Sequence, residues 1–388
     1  MATADFILIG GGIAGLSAAA RLARHGRVAV IEAEEALGHH SSGRSVTFSH
    51  FGIGNRVVRA LTDHSRDFFL APPEGFSAPL ARSAPALFVA TEEMLDELDA
   101  LHAEMARFTA ALEWVGEARM QEICPPLSTG AGGALKGILD PNGLKLEADA
   151  LLQSFARAVR AGGGAIHLGH RIAGVERSGA GWRVRSETGE SWEAPVLVNA
   201  AGAWADRVAQ MAGVAPLGLE PKRRTIIVVD APEGVDVAGW PFLKTAVDDF
   251  YMLPEAGRLI ASPVDEIASD PCDAWPEEYD IALAAAKVEQ YTSLEVKRIA
   301  HSWAGLRSFV SDRVPTAGFA PDAPGFFWLA GQGGYGLQTA PAMAEIAEAL
   351  IVGGDWPEGL SARGVGPDKI RPERLFVKPN ESPSVRQG

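Results

Sequence analysis

One stretch limits this chain more than any other: Asp5-Phe6-Ile7-Leu8-Ile9-Gly10-Gly11-Gly12-Ile13-Ala14-Gly15-Leu16. Four apolar residues run into a glycine cluster, and small apolar residues continue to Leu22. The pattern predicts a buried strand, a tight turn and a helix start. Gly10, Gly12 and Gly15 fit G-x-G-x-x-G. The first glycine permits the turn, the second lets backbone N–H groups approach a pyrophosphate, and the third lets the helix lie close to the strand. The helix N-terminus then presents its positive end to the phosphates. A second apolar strand, Val28 to Ile31, ends at Glu32, which lies 22 positions beyond Gly10. That is the place for a carboxylate on a ribose hydroxyl. The competing reading is a glycine-rich turn in another α/β protein.

The chain has 388 residues, enough for two domains. Its net charge of −14, with no basic stripe, argues against nucleic-acid binding. The two cysteines, Cys124 and Cys272, form no C-x-x-C or other metal spacing, so neither a disulfide framework nor a metal site is expected. No apolar run reaches the length of a membrane span. The beginning of the sequence lacks a basic n-region followed by an apolar core, so a cytoplasmic location is expected.

Further along, Gly38 to Ser45 is polar and rich in small residues. Its hydroxyls and amides suit a phosphate or a flavin ring, or else a solvated loop. Helical spacing covers 55–69 and 92–112, and a helix is expected over 147–161, stopped by Gly162-Gly163-Gly164. A hairpin is expected around 187–189. Pro195 to Ala205 repeats the opening logic, an apolar strand meeting small residues. Strands of a separate sheet are expected within 223–230 and 249–262, and a helix over 281–294. A third apolar run, Gly325 to Ala330, enters the loop Gly331-Gln332-Gly333-Gly334-Tyr335-Gly336, with a helix expected from about Thr339 and Pro341 in its first turn. Three such turns far apart in sequence require one nucleotide-binding unit built from separate segments, with a pocket between it and a second domain.

Taken together, these stretches resemble the D-amino-acid-oxidase-like flavoproteins, and most closely the bacterial FAD-dependent D-arginine and D-amino acid dehydrogenases. The resemblance covers nearly the whole chain. It rests on Ile9 to Gly15, His40 to Ser45, Val196 to Trp204, Pro221 to Arg224, Trp303 to Phe309 and Gly331 to Gln338. It implies an α/β fold: a Rossmann-like FAD-binding domain from segments 1–45, 146–215 and 301–378, and an α+β substrate domain with a mainly antiparallel sheet from 46–145 and 216–300. The last residues, 379–388, are read as a disordered tail. The resemblance implies pyrophosphate contacts at Gly10, Gly12, Ile13, Ala14 and Gly15, and a ribose contact at Glu32 with Ala33 beside it. It places Ser41, Ser42, Gly43, Arg44 and Ser45 near the flavin and the backbone of Ile172 beside the adenine. The turn Ala200-Ala201-Gly202 with Trp204, then Gly305 and Arg307, and finally Gly333, Gly334, Tyr335, Gly336, Leu337 and Gln338 complete the implied cofactor contacts. Some relatives attach flavin to a cysteine near the C-terminal loops. Neither cysteine here is placed for that, so the FAD is expected to be non-covalent.

The reaction implied is oxidation of the α C–N bond of a D-amino acid to the imino acid, which water converts to a 2-oxo acid and ammonia. A planar guanidinium suits the substrate carboxylate. Arg307 matches the family's carboxylate arginine and Tyr251 a tyrosine on the same group. Arg224 is a second cationic contact, though Arg223 competes with it and would face the other way on a strand. Gly334 backbone is expected at the substrate amine, Gln338 in the pocket, and His50 as a proton acceptor. Each has a plain structural alternative, such as an ion pair, a buried strand tyrosine or a structural histidine. Where D-arginine dehydrogenases carry a His and a Tyr after Gly43-Arg44-Ser45, this chain has Phe48 and Ile53. Where they carry a Glu for the guanidinium, it has Ala86. An unpaired guanidinium in a pocket is costly, so uncharged or hydrophobic D-amino acids are expected rather than arginine. Oxidation of an N-methyl amino acid or opine, oxidation of a 2-hydroxy acid, and a flavin-binding subunit of a larger complex remain open. So does the electron acceptor, quinone or oxygen.

Overall fold

A computed structural model describes residues 2–76, 79–179 and 181–376. The expected tail, 379–388, lies outside the described residues. The first expectation holds: Phe6–Ile9 is a strand, Ile13–Leu22 a helix and Val28–Ile31 the next strand, paired parallel with Phe6 opposite Val28. They belong to a six-stranded sheet ordered Ala165–His167, Val28–Ile31, Phe6–Ile9, Val196–Asn199, Phe326–Ala330 and Thr316–Phe319. All neighbours are parallel except the last pair. The chain leaves Phe6–Ile9 toward one side of the sheet and returns at Val196–Asn199 on the other. The crevice beyond these strand ends is therefore where a ligand belongs. All three glycine turns open onto it.

The helix Ile13–Leu22 is short and rich in alanine, with Leu16, Ala18, Ala19 and Leu22 buried. It packs against the helices Ala148–Ala161 and Gly336–Val352. Its closeness to the sheet depends on Gly15, where a Cβ would lie 2.0 Å from the Gly10 carbonyl oxygen. A second layer on the other face is anchored by Trp182, Trp192 and Trp328. The expected hairpin is present as Gly181–Ser186 and Ser191–Ala194.

The larger sheet has nine strands and is mainly antiparallel, with one parallel pair, Phe242–Thr245 with Ala86–Ala90. Its longest strands, Glu220–Asp230 and Ile299–Phe309, run side by side. Ile299–Phe309 thus continues this sheet as far as Phe309, so a segment boundary at 301 falls inside a strand. The helix Arg56–Leu70 also departs from the expected division. Its N-cap is Asn55, whose side chain accepts from Val57 N and Val58 N at 3.1 Å, a contribution of about 1 kcal/mol. Its buried residues Ala60, Leu61 and Phe69 join the core of the six-stranded unit, where it packs on Gly336–Val352.

Two helix boundaries also differ. The 92–112 region is a short 3-10 turn followed by Leu95–Met105, with only Leu98 and Met105 buried. The C-terminal helix starts at Gly336, not Thr339, and holds Pro341 in its interior. Among the described residues no helix is long and apolar enough to cross a membrane.

Candidate active site

Two adjoining cavities, of about 190 and 310 Å³, follow the crevice and share Gly12, Ser41, Ser42, Ala200 and Gly202 in their walls. One end holds Glu32, Ala33, Ile172, Ala201 and Trp204. The other holds Arg44, Ser45, Gly305, Arg307, Gly334, Gly336 and Leu337, together with Arg224 and Tyr251. The channel therefore runs from Glu32 at one end to Arg307 at the other, an extended shape. Ile13 and Ala14, at the start of the first helix, also line it.

The local reasons are short-range. Gly10 has φ +112, and a Cβ there would lie 2.4 Å from the Ala200 carbonyl oxygen, so the first and second turns touch through bare backbone. Glu32 is buried; one oxygen accepts from Gly11 N at 2.5 Å and the other from Glu34 N at 2.9 Å. Each carboxylate oxygen keeps a lone pair for a hydroxyl. The helix Ile13–Leu22 has Gly12 as its N-cap, no side-chain cap and no acid in its first turn, which leaves an anion site at its positive end. Ser42 Oγ accepts from Ile13 N at 3.0 Å, and Ser41 Oγ donates to Leu306 O at 2.5 Å. These bonds hold the polar 38–45 segment against the crevice. Farther on, the Gln332 amide nitrogen is buried without a hydrogen-bond partner among the described residues, and Gln332 lies in the cavity wall. The channel, its acidic end, the helix N-terminus with no acid in its first turn and this spare donor all fit FAD.

Four implied cofactor contacts have other places. Gly15 and Gly43 do not line the cavities; they allow close backbone approach, with Cβ positions 2.0 Å from Gly10 O and 2.6 Å from Gly38 O. Tyr335 packs its ring against Phe309, and its hydroxyl donates to Arg313 O. Gln338 is buried behind the wall. Its Nε2 donates to Thr62 Oγ1 at 2.8 Å, and its Oε1 accepts from His50 N at 3.3 Å. Both face away because the helix begins at Gly336, which turns these side chains toward the packed face.

The catalytic candidates converge on the larger sheet. Lys222 is opposite Arg307 and Arg224 opposite Gly305. Arg224 and Arg307 therefore share a face as diagonal neighbours. Arg223 points the other way, to Glu277 and Asp280. The choice of Arg224 over Arg223 agrees with strand parity. Arg224 donates through Nε to Asp265 O at 2.8 Å. Arg307 makes no hydrogen bond to a described residue. Its closest anion, Glu266, is 3.6 Å away and is held by Arg313 at 2.8 and 3.0 Å. Burial, then the charge of Arg224, pushes Arg307 down to about 10, so it stays a cation at neutral pH. Burial raises the Tyr251 phenol, which stays protonated and able to donate.

His50 lies in the cavity wall but is not a proton acceptor. Its Nδ1 accepts from Gly52 N at 3.0 Å, leaving the ring proton on Nε2. Burial, then the charge of Lys244, lowers its pKa to about 3. It is a neutral donor within an aromatic wall, its ring 5.1 Å from that of Phe242, which stacks on Phe48 at 4.6 Å. Ile53 lines the same cavity, whereas Ala86 is buried in the sheet and does not. Sequence reasoning missed Lys244. It is 4% exposed, it is opposite Tyr251 on the same sheet face, and it pairs with Asp248 at 2.9 Å. Thr47 and Val264, both lining this cavity, hold positive φ angles of 54 and 55. Such strain in β-branched residues concentrates at functional sites.

Gly334 sits directly over Arg307: a Cβ there would be 1.4 Å from Nη2. The guanidinium is a flexible end and can give way, so Gly334→Ala should fold with little change in melting temperature. The displaced guanidinium leaves its place in the cavity wall, and if it positions the substrate an ångström of misplacement costs about a hundredfold in rate. Kinetics on the purified variant check this; an unchanged catalytic efficiency would contradict it. Cys124 is buried and Cys272 exposed, and neither lines the cavities. Acid precipitation should therefore release the yellow colour into the supernatant; colour retained in the pellet would show a covalent link.

The model of the DAO family, FAD dependent oxidoreductase, matches residues 5–350, and the chain belongs to that family. Its cofactor is FAD. The chain is 30% identical over 195 residues to FAD-dependent oxidoreductase domain-containing protein 1 of Xenopus laevis, a match covering 42% of this chain and 36% of that protein. It is 27% identical over 235 residues to an L-2-hydroxyglutarate dehydrogenase of Escherichia coli O17:K52:H18, covering 56% of this chain and 50% of that one. These two matches thus span half or less of the relatives' own length. Glycine oxidase of Geobacillus kaustophilus is 24% identical, covering 89% and 92%. Among solved structures, glycine oxidase from Geobacillus kaustophilus superposes with a TM-score of 0.79 at 19% identity, covering 92% of this chain and 96% of that one. L-alpha-glycerophosphate oxidase from Mycoplasma pneumoniae with FAD bound superposes with a TM-score of 0.79 at 18% identity and the same coverage. These likenesses show the fold.

Proposed function

We propose that this flavoprotein oxidises the α C–N bond of an amino acid, a D-amino acid in the first place, whose carboxylate is held by Arg307. The observation that carries this reading is the Arg307 guanidinium, which lines the cavity, donates no hydrogen bond to a described residue, and has its nearest described carboxylate, Glu266, already held by Arg313. FAD, when bound, supplies the hydride acceptor. Arg307 receives the carboxylate through two parallel N–H···O bonds. Tyr251 donates a further bond, and Arg224, on the same face, adds attraction. Fixed at one end, the substrate has its α-carbon held in one orientation, which converts binding into rate. The aromatic wall of Phe48, Phe242 and His50 excludes water. The reaction then needs the substrate amine as its free base, because His50 is a donor. The imine released from the site hydrolyses in water to a 2-oxo acid and ammonia.

The likeness to an L-2-hydroxyglutarate dehydrogenase supports a second reading, oxidation of a 2-hydroxy acid. That reaction requires a base for the hydroxyl proton, and neutral His50 does not supply one. Anaerobic bleaching of the flavin by D- and L-amino acids, N-methyl amino acids and 2-hydroxy acids separates the readings. Bleaching by an amine supports the proposal. Bleaching by hydroxy acids alone would replace it with the second reading.

A further inference from the structure

Resting on the proposed carboxylate clamp, we infer that Lys244 is the far end of the substrate site and takes a second carboxylate, so that the substrate is a dicarboxylate. Lys244 belongs to the short strand Phe242–Thr245, and its neighbours on the same sheet face are Phe242, two residues before, and Tyr251, directly opposite. All three line the cavity that holds Arg307. An ammonium at this depth needs an anion. Here it has Asp248 at 2.9 Å, with the Thr245 carbonyl at 3.2 Å.

The two partners are unlike. The Lys244 side chain is 5% exposed and fixed by its strand, whereas the Asp248 side chain is 65% exposed on the turn leading to Tyr251. Asp248 can swing into water at little cost, and Lys244 cannot follow. The Asp248 carboxylate, paired with Lys244, also feels the positive charges of Arg307 and Arg224, two further cations of the cavity wall. It stands where the distal group of an anionic substrate belongs. Farther back, Arg224, Arg307 and Arg313 share Glu266, with the buried Asp265 carboxylate 4.0 Å from Arg224, so these three cations and Lys244 face three carboxylates, Asp248 included. The region is short of anions even with Asp248 in place.

Distance permits the same substrate to reach both ends. Lys244 and Arg307 are separated by four strand spacings across the sheet and by four residues along it, roughly 23 Å between backbones at about 4.8 Å per strand and 3.3 Å per residue. Their long side chains extend inward from both sides, which leaves a gap suited to a four- or five-carbon dicarboxylate. The aromatic wall alone would favour apolar side chains, and the missing Glu at Ala86 would only disfavour cations. Lys244 adds an attraction that neither feature provides.

Titration of the FAD-loaded protein with succinate and with butyrate, read by the change in flavin absorbance, tests binding without turnover. Succinate should bind about ten- to a hundredfold more tightly, the range of one charge-assisted hydrogen bond. In Lys244→Met that ratio should collapse to near unity. In Asp248→Asn, a substitution on the exposed turn that does not risk folding, it should rise. Anaerobic reduction by D-aspartate and D-glutamate should exceed that by D-leucine and D-arginine. Equal affinity for the two acids, a ratio unmoved in Asp248→Asn, or faster reduction by D-arginine would overturn the inference. Failure of every amine to reduce the flavin, with succinate still preferred, would instead reject the amine reading and leave the second-carboxylate site standing.

Discussion

Replacing Arg307 by alanine should leave a folded, yellow protein that has lost roughly a hundred- to several-thousandfold of its catalytic efficiency toward any carboxylate substrate. The magnitude is that of breaking a buried, hydrogen-bonded charge pair, about 3–5 kcal/mol. Two facts separate this from a structural effect. Arg307 donates no hydrogen bond to a described residue, and Glu266 remains held by Arg313 when Arg307 is removed. The stability change should therefore be small, while the carboxylate loses its bidentate partner. Arg224 is engaged with the Asp265 carbonyl through Nε and cannot reproduce the fork. Melting temperature, flavin content and kcat/KM measured together on Arg307→Ala check the prediction. Unchanged efficiency would remove Arg307 from the site, and a collapse of flavin content would make it a folding residue.

Gly15→Ala should act in the opposite sense, on the fold and the cofactor. Alanine inside a helix ordinarily adds about 1 kcal/mol relative to glycine. Here its Cβ would lie 2.0 Å from Gly10 O, 3.2 Å from Gly10 C and 3.5 Å from the Ala200 side chain. Two of these are backbone atoms of the phosphate turn and cannot rotate away. The helix Ile13–Leu22 must withdraw from the sheet, and it carries Leu16 and Leu22 in the core. Overpacking of this kind costs about 1–3 kcal/mol or more, which outweighs the propensity gain. The variant should be purified colourless or nearly so, with a lowered melting temperature. A rise in melting temperature with full flavin content would show that the close approach is not required.

Much of this architecture was legible because each glycine turn follows its own apolar strand. Ile9 to Gly12, Asn199 to Gly202 and Ala330 to Gly334 need no distant information to be read as strand ends. Their convergence followed from the need for one ligand. Strand parity likewise put Arg223 and Arg224 on opposite faces, but only the pairing of Glu220–Asp230 with Ile299–Phe309 shows that Arg224 shares a face with Arg307. What was hidden depends on pairing across long sequence distances. Lys244 reads as one cation in a short mixed stretch; it is buried because Phe242–Thr245 lies beside Ala86–Ala90, with Lys244 opposite Phe88. A lone lysine between Leu243 and Thr245, two residues after Phe242, was the available signal. Tyr335 and Gln338 were misplaced for a related reason. Their loop winds into a helix at Gly336, and Gln338 then meets Thr62 of a helix that the sequence had assigned to the other domain. The state of His50 needed its surroundings, the Gly52 amide and Lys244, neither of which its local sequence reveals.

The account stands on Arg307 as a carboxylate clamp beside the flavin, and one comparison addresses this directly. Flavin reduction is followed anaerobically with an amino acid that bleaches the protein and with the carboxamide of the same amino acid. The two share the α C–N bond and the side chain and differ in the charge at the clamp. The account predicts rapid bleaching by the acid and reduction by the amide at least about a hundredfold less efficient. Equal efficiency for acid and amide would contradict it.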